Sequence, residues 1–259
     1  MHTNAHNAHT VPGGIARGNG MTLDDLNGSN LIDAMRTNDK ALLAQRLETV
    51  HLNAGHIVYH PGDDVQYAYF PRFHALASYH VIMADGSAVE TAITGREGAI
   101  GGIVSHGRLP AYARSCIMHG GEFYRIRCNE LEHLKEESSA LRRLFNRYAD
   151  GLLAQIFQSV ACNAVHTVEQ RAAKWLIAAM DRTGDRNIAM TQDQLGSLLG
   201  VGRTYVSRVV GRLSKSGAVI TRRGCIVVQD RPLLMQAACD CNRLVAEHFD
   251  TVLSGVYPS

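Results

Sequence analysis

Residues 190–228, MTQDQLGSLLGVGRTYVSRVVGRLSKSGAVITRRGCIVV, constrain this chain more than any other stretch. Thr191 precedes Gln194 by three positions. That is the spacing of a capping box, in which each side chain satisfies a backbone N–H at a helix start. Leu195, Leu198 and Leu199 follow at helical spacing and form one apolar stripe. Gly200-Val201-Gly202 stops this helix within three residues, and a second helix begins with Val206, Val209, Val210 and Leu213 on one face. Two helices joined by so short a glycine turn make a helix-turn-helix. The other face of the second helix carries Arg203, Thr204, Ser207, Arg208 and Arg212. A helix apolar on one side and rich in arginine and hydroxyls on the other suits a DNA major groove.

Charge distribution points the same way. Between residues 190 and 224 the bases are Arg203, Arg208, Arg212, Lys215, Arg222 and Arg223, against one acid, Asp193. The whole 259-residue chain carries a net charge of only +2, so positive charge is concentrated here. An ordinary solvated helix would present acids to pair its arginines, and this face has none of its own. Gly217 ends the helix. Ala218-Val219-Ile220 and Cys225-Ile226-Val227-Val228 are short β-branched runs joined by Thr221-Arg222-Arg223-Gly224, a hairpin signal. The result is a winged helix. Arg222 and Arg223 at its tip, with Arg212 and Lys215, are suited to phosphates, which set position rather than sequence preference.

Several classes fall away on composition. A hydrophobic content of 46% supports a substantial core. No apolar run approaches the ~18 residues of a membrane span, and the first residues lack the basic and apolar regions of a secretory signal, so a cytoplasmic protein is expected. No G-x-S-x-G, H-E-x-x-H or Walker-type loop occurs, which argues against an enzyme. Residues 1–28 are rich in His, Asn, Thr and Gly and are expected to form a disordered tail. Nothing there would organise His2, His6 and His9 around a metal. Six cysteines spread over so long a chain are no secreted framework, and reduced thiols are expected. Cys239 and Cys241, placed on one terminal helix, would point about 200° apart and could not chelate together. No metal site is expected.

The remaining pattern predicts an α+β chain. Asn30 to about Val50 reads as one helix. From His51 to Cys128 come short β-type runs broken by turns, among them LASYHVIMA and SAVETAIT joined by Asp85-Gly86, and ARSCIM and EFYRIR flanking Gly120-Gly121. Both glycine signals are those of hairpins, and the whole reads as an antiparallel roll. Ser138 to Val165 is helical, a rod of about 40 Å. Its apolar arc is wide enough to pack on its own β domain and on a second copy of the chain. Thr167 to Asp181 is a further helix, and one terminal helix follows Asp230. The expected units are residues 29–137, 138–166, 167–230 and 231–259.

This order of elements resembles the Crp–Fnr superfamily of bacterial transcription regulators. The resemblance spans about Asn30 to Asp230 and rests most on VGRTYVSRVVGRLSKSGAVI. Pro61-Gly62-Asp63, REGAIGG and Ala113-Arg114-Ser115 add to it, and the DRPLL…ACDCN tail is similar to an alphaproteobacterial subgroup lacking the ribose-binding Glu. The resemblance implies a cyclic-nucleotide-binding-like jelly roll and a long dimerisation helix before the winged domain. It also implies a homodimer on double-stranded DNA, with RNA polymerase a further candidate partner. Its ligand cradle maps onto Gly98, Gly101, Arg114 and Ser115, where backbone N–H groups and a guanidinium suit an anion. Ala99 stands where cyclic-AMP binders have the ribose-holding carboxylate, and Ile156 and Phe157 where they have hydroxyls, so cyclic AMP is not the expected ligand. Oxygen-sensing members hold an iron–sulfur cluster on N-terminal cysteines, which this chain lacks, so no cluster is expected. The other reading is a signal-binding, protein-interaction module without specific DNA binding.

Overall fold

The computed structural model describes residues 21–104 and 109–258. The histidines at 2, 6 and 9, and residues 105–108, lie outside the described residues. The tail expectation fails at its C-terminal end. Residues 21–28 pack on the β domain: Leu23–Asp25 form a 3₁₀ turn capped by Thr22, Leu26 is buried, and the Asn27 carbonyl accepts from Arg72 Nε at 3.0 Å.

The single helix expected over 30–50 is two short ones, α1 (Asn30–Asp33) and α2 (Thr37–Ala44), and Glu48 already begins a strand. Seven strands follow: β1 (Glu48–Leu52), β2 (Ile57–Tyr59), β3 (Tyr67–Pro71), β4 (Leu76–Ile82), β5 (Ala88–Thr94), β6 (Arg114–His119) and β7 (Gly121–Arg127). They form two antiparallel sheets, ordered β1-β7-β3 and β2-β6-β4-β5. Asp85-Gly86 joins β4 to β5 as a hairpin, with Gly86 at φ 82°. Gly120-Gly121 is not a hairpin turn. β6 pairs with β2 and β4, β7 pairs with β1 and β3, and the chain crosses between sheets at this corner. A Cβ on Gly120 would meet the Ala54 backbone nitrogen at 2.9 Å, so the corner needs glycine for close approach rather than for reversal. Leu52, Ile100, Ile117 and Phe123 fill the space between the sheets.

A short helix, α3 (Cys128–Glu137), leads to the long α4 (Ser139–Val165), whose N-terminus the Ser138 hydroxyl caps by accepting from the Leu141 N–H. Leu141, Phe145 and Tyr148 of α4 are buried against the roll. α5 (Val168–Thr183) begins with a capping box between Thr167 and Gln170. Then come β8 (Asn187–Ala189), α6 (Gln192–Leu199), α7 (Arg203–Lys215), β9 (Val219–Arg222) and β10 (Cys225–Val228), with the strands in the order β8-β10-β9.

The terminal helix is also broken, into α8 (Arg231–Ala237) and α9 (Cys241–Val252). α8 packs on α5, and α9 returns to lie along α4. There a Cβ on Gly151 would meet the Phe249 ring at 2.8 Å, so this glycine admits the aromatic ring. The break at 238–240 overturns the expectation that Cys239 and Cys241 share a helix and diverge. Ala238 is extended (φ −86°, ψ 162°), so Cys239 precedes α9 instead of belonging to it.

Candidate DNA-recognition helix and sensor turn

The local signals of residues 190–228 act as their chemistry dictates. The Thr191 N–H donates to Gln194 Oε1 at 2.8 Å, and the Gln194 N–H donates to Thr191 Oγ1 at 3.1 Å. Gly200 takes the left-handed cap at φ 67°. Gly196 passes so close to the next turn that a Cβ would lie 2.8 Å from the Val201 carbonyl. Leu195, Leu198 and Leu199 of α6 and Val206, Val209, Val210 and Leu213 of α7 are all buried in one core with Trp175 and Leu176 of α5. α7 is thereby fixed by its apolar side, and its other side faces solvent.

Arg203, Thr204, Ser207, Arg208, Arg212 and Lys215 are all exposed, as are Arg222 at the end of β9 and Arg223 in the turn beyond it. Tyr205, 46% exposed, joins the same surface, although an aromatic ring at that position carries no local signal of exposure. Two arginines have acidic neighbours. Arg203 lies 3.5 Å from Asp193, with side chains 72% and 63% exposed. Arg212 pairs with Glu169 of α5, which lies outside residues 190–224. Exposed pairs of this kind are worth about 0–1 kcal/mol and are readily exchanged for a phosphate or a base edge. Arg208 and Lys215 make no ion pair among the described residues.

The turn at 98–101, onto which the ligand cradle maps, is different in kind. Gly98 and Gly101 flank Ala99 and Ile100, which are 2% and 0% exposed. A Cβ on Gly98 would collide with the Tyr148 hydroxyl, and one on Gly101, at φ 106°, with the Tyr67 carbonyl. The Ala99 N–H already donates to Tyr148 Oη at 3.2 Å, and the Ala99 carbonyl accepts from Tyr79 Oη at 3.2 Å. Burial pushes the Tyr148 phenol up to about 12, so it remains a neutral hydroxyl at any physiological pH. Ser115 is buried on β6, and Arg114 lies opposite His80 of β4. The Arg114 Nε is buried without a hydrogen-bond partner among the described residues. Burial, with the nearby Arg114 charge, depresses the His80 imidazole to about 4.

Two expectations for the long helix change. Leu144 and Tyr148, on the apolar arc expected to meet both the β domain and a second copy, pack into the β-roll core, with Tyr148 1% exposed. Phe157, read as lining the pocket, is 65% exposed, and Gln155 faces the roll instead, its Nε2 donating to the Ile93 carbonyl at 2.9 Å. The uncovered stripe of α4 is Leu153, Phe157 and Val160, at 46%, 65% and 65% exposure and at coiled-coil spacing.

No local pattern signals how the two halves join. Arg182 of α5, 2% exposed, donates from Nε to Glu97 Oε1 at 2.7 Å and from Nη2 to the Tyr257 hydroxyl at 2.7 Å. Glu97 immediately precedes Gly98, so the residue that leads into the 98–101 turn is held by the first helix of the C-terminal half. Nearby, Trp175 Nε1 donates to Glu90 Oε1 of β5 at 2.7 Å, and burial pushes the Glu90 carboxyl up to about 8. No local spacing signals either contact, because each joins residues 85 apart.

Residues 170–237 match the family model of the Crp-like helix-turn-helix domain. No curated protein matches the chain. Solved structures with the same fold include FixK2 from Bradyrhizobium japonicum, 19% identical, with a TM-score of 0.62 over 74% of this chain and 98% of that one. The c-di-GMP-responsive global regulator CLP of Xanthomonas campestris is 14% identical, with a TM-score of 0.62 over 75% and 100%. A putative transcriptional regulator of the Crp/Fnr family from Eubacterium rectale is 16% identical, with a TM-score of 0.60 over 80% and 97%.

Proposed function

We propose that this chain, a Crp-like helix-turn-helix domain carried on the fold of Crp/Fnr transcription regulators, is a sequence-specific DNA-binding transcription regulator acting as a homodimer. One observation carries the reading: α7 is anchored by four buried aliphatic residues and presents Arg203, Thr204, Ser207 and Arg208 to solvent. Arg203 and Arg208 suit guanine edges, while Arg212, Lys215, Arg222 and Arg223 suit phosphates.

The Leu153–Phe157–Val160 stripe is the surface on which a second copy would pack. Two copies so joined would present their α7 helices about 34 Å apart, one DNA turn, and read an inverted repeat. Glu97 and Arg182 supply the link from sensor turn to DNA-binding half, since any ligand that moves Gly98 moves Glu97. The signal is not cyclic AMP. Ala99 offers no carboxylate to a ribose, and an unmet hydroxyl costs about 1–3 kcal/mol. The Ala99 amide is also already bonded to Tyr148. A small anion with an apolar part, competing with the Tyr148 hydroxyl for that amide and drawn by Arg114, is the better fit.

Footprinting on the region upstream of its own gene, with sedimentation of the same sample, tests the proposal. A dimer protecting an inverted repeat is expected, and Phe157→Glu with Val160→Glu should yield monomers that protect nothing specific. A wild-type monomer protecting a palindrome would overturn the dimer. Calorimetry with cyclic AMP should show no micromolar binding, and a tenfold gain in operator affinity that Arg114→Ala abolishes would restore a cyclic-nucleotide receptor.

A further inference from the structure

The break between α8 and α9 brings four metal-ligating side chains together. Cys162 and His166 lie one turn apart at the end of α4, and Cys239 and Cys241 flank the start of α9. The donor atoms of all four lie within 4.8 Å of one another. Cys162 and Cys241 are 0% and 3% exposed, and Cys239 is 9% exposed.

The distances discriminate between chemistries. Zn–S bonds of about 2.3 Å and Zn–N bonds of about 2.0–2.1 Å at tetrahedral angles place two sulfurs about 3.8 Å apart and a sulfur about 3.6 Å from a ring nitrogen. Here Cys162 Sγ lies 3.6 Å from Cys239 Sγ, and Cys241 Sγ lies 3.5 Å from His166 Nδ1. A disulfide needs about 2.05 Å, and all three cysteines are free thiols. A span of 4.8 Å suits one ion, whereas ligands of a multi-iron cluster spread around several metals. Gln158, one turn before Cys162, donates from Nε2 to Cys241 Sγ at 3.1 Å, an outer hydrogen bond of the kind that steadies a metal-bound thiolate.

We infer that Cys162, His166, Cys239 and Cys241 form a structural Cys₃His zinc site. It stands where two chain junctions cross. His166 ends α4 and Thr167 caps α5, and Ala238 and Asp240 separate α8, packed on α5, from α9, packed on α4. With all four positions taken by protein, the ion has no open site for catalysis. Its effect is to tie the end of the long helix to the C-terminal segment, which holds the DNA-binding half at a set angle to α4.

Elemental analysis of full-length protein purified under reducing conditions tests this. One zinc per chain is expected, with Cys239→Ser and His166→Asn losing most of it and Cys225→Ser keeping it. Because the variants could misfold, the second arm uses the wild-type protein stripped by a chelator and given cobalt. It should develop the intense visible absorption of tetrahedral thiolate-bound cobalt, and stripping should lower the melting temperature by several degrees. A wild-type protein that carries no zinc and gives no such cobalt spectrum would overturn the inference. So would iron with inorganic sulfide, or a Cys162–Cys239 disulfide in metal-free protein.

Discussion

The sensor turn and the recognition helix are written in similar residues, glycine beside arginine, and the structure uses them in opposite ways. Around α7, Gly200, Gly202 and Gly211 have open space where a side chain would be, and the neighbouring Arg203 and Arg208 project into solvent. In the turn, the space beside Gly98 and Gly101 is taken by Tyr148 and by the β3 backbone. Glycine beside arginine leaves open surface in the first region and admits close packing of the protein on itself in the second. Only the contents of the surrounding few ångströms distinguish them.

The most damaging way to test the contrast is to break the buried link that the turn depends on. Arg182→Met leaves the Glu97 carboxylate buried without its cation, at a cost of about 3–5 kcal/mol. Denaturant unfolding should register that loss. If Arg182→Met with Glu97→Leu unfolds like the single variant, the ion pair is not what holds the turn.

Gly98→Ala comes next. The added methyl must displace Tyr148 or Thr94, and overpacking of this kind costs about 1–3 kcal/mol of stability. Gly211→Ala, made on the exposed helix, has no such neighbour and should stabilise α7 by up to about 1 kcal/mol. Thermal melts that rank the two substitutions the other way would remove the distinction between a filled and an open glycine.

Arg208→Ala should leave the melting temperature unchanged and cost about 1–3 kcal/mol at the best operator, relaxing preference at one position in each half-site. Arg222→Ala and Lys215→Ala should weaken all sequences alike and flatten the salt dependence. Binding titrations at two salt concentrations separate the two kinds of effect. Specific affinity that survives Arg208→Ala would mean α7 does not read the bases.

The smallest effect is one of slope. Glu90 holds its proton in the folded state up to about pH 8, whereas the unfolded chain releases it near pH 4.3. Between those values the folded state binds more protons, so stability falls as pH rises. Glu90→Gln should remove this slope and raise stability most at the alkaline end. Trp175, the sole tryptophan, donates to Glu90 and reports the unfolding directly by fluorescence. A slope unchanged in the variant would place the titration elsewhere.

Legibility followed the range of the interactions. Thr191 with Gln194, the Leu195–Leu199 stripe and the Gly200–Gly202 turn all act within a dozen residues, and each appears in the structure in the form its spacing predicts. The Asp85-Gly86 hairpin is equally local. Gly120-Gly121 misled because its two strands belong to different sheets, a matter of pairing with β2, β4, β1 and β3. Composition makes residues 21–28 look too polar to order, yet Asp25 is held by Tyr124 and Asn27 by Arg72 and Tyr124, which lie far along the chain. Tyr148 had the periodicity of a seam residue, but periodicity says only that a face is buried, not what covers it. The pair Cys162 and His166, four apart at a helix end, was the one local sign of the cysteine cluster.

By itself the sequence determined the helix-turn-helix, the hairpin after it, the long rod of α4 and the antiparallel character of the β domain. These are set by backbone capping, turn chemistry and side-chain period, all short-range. Tertiary structure alone decided that the sensor turn is closed by Tyr148, that Glu97 reaches Arg182, and that the terminal helix breaks so Cys239 and Cys241 face Cys162 and His166. Each depends on groups tens of residues apart meeting within a few ångströms, and burial and packing, not local propensity, select which of them meet.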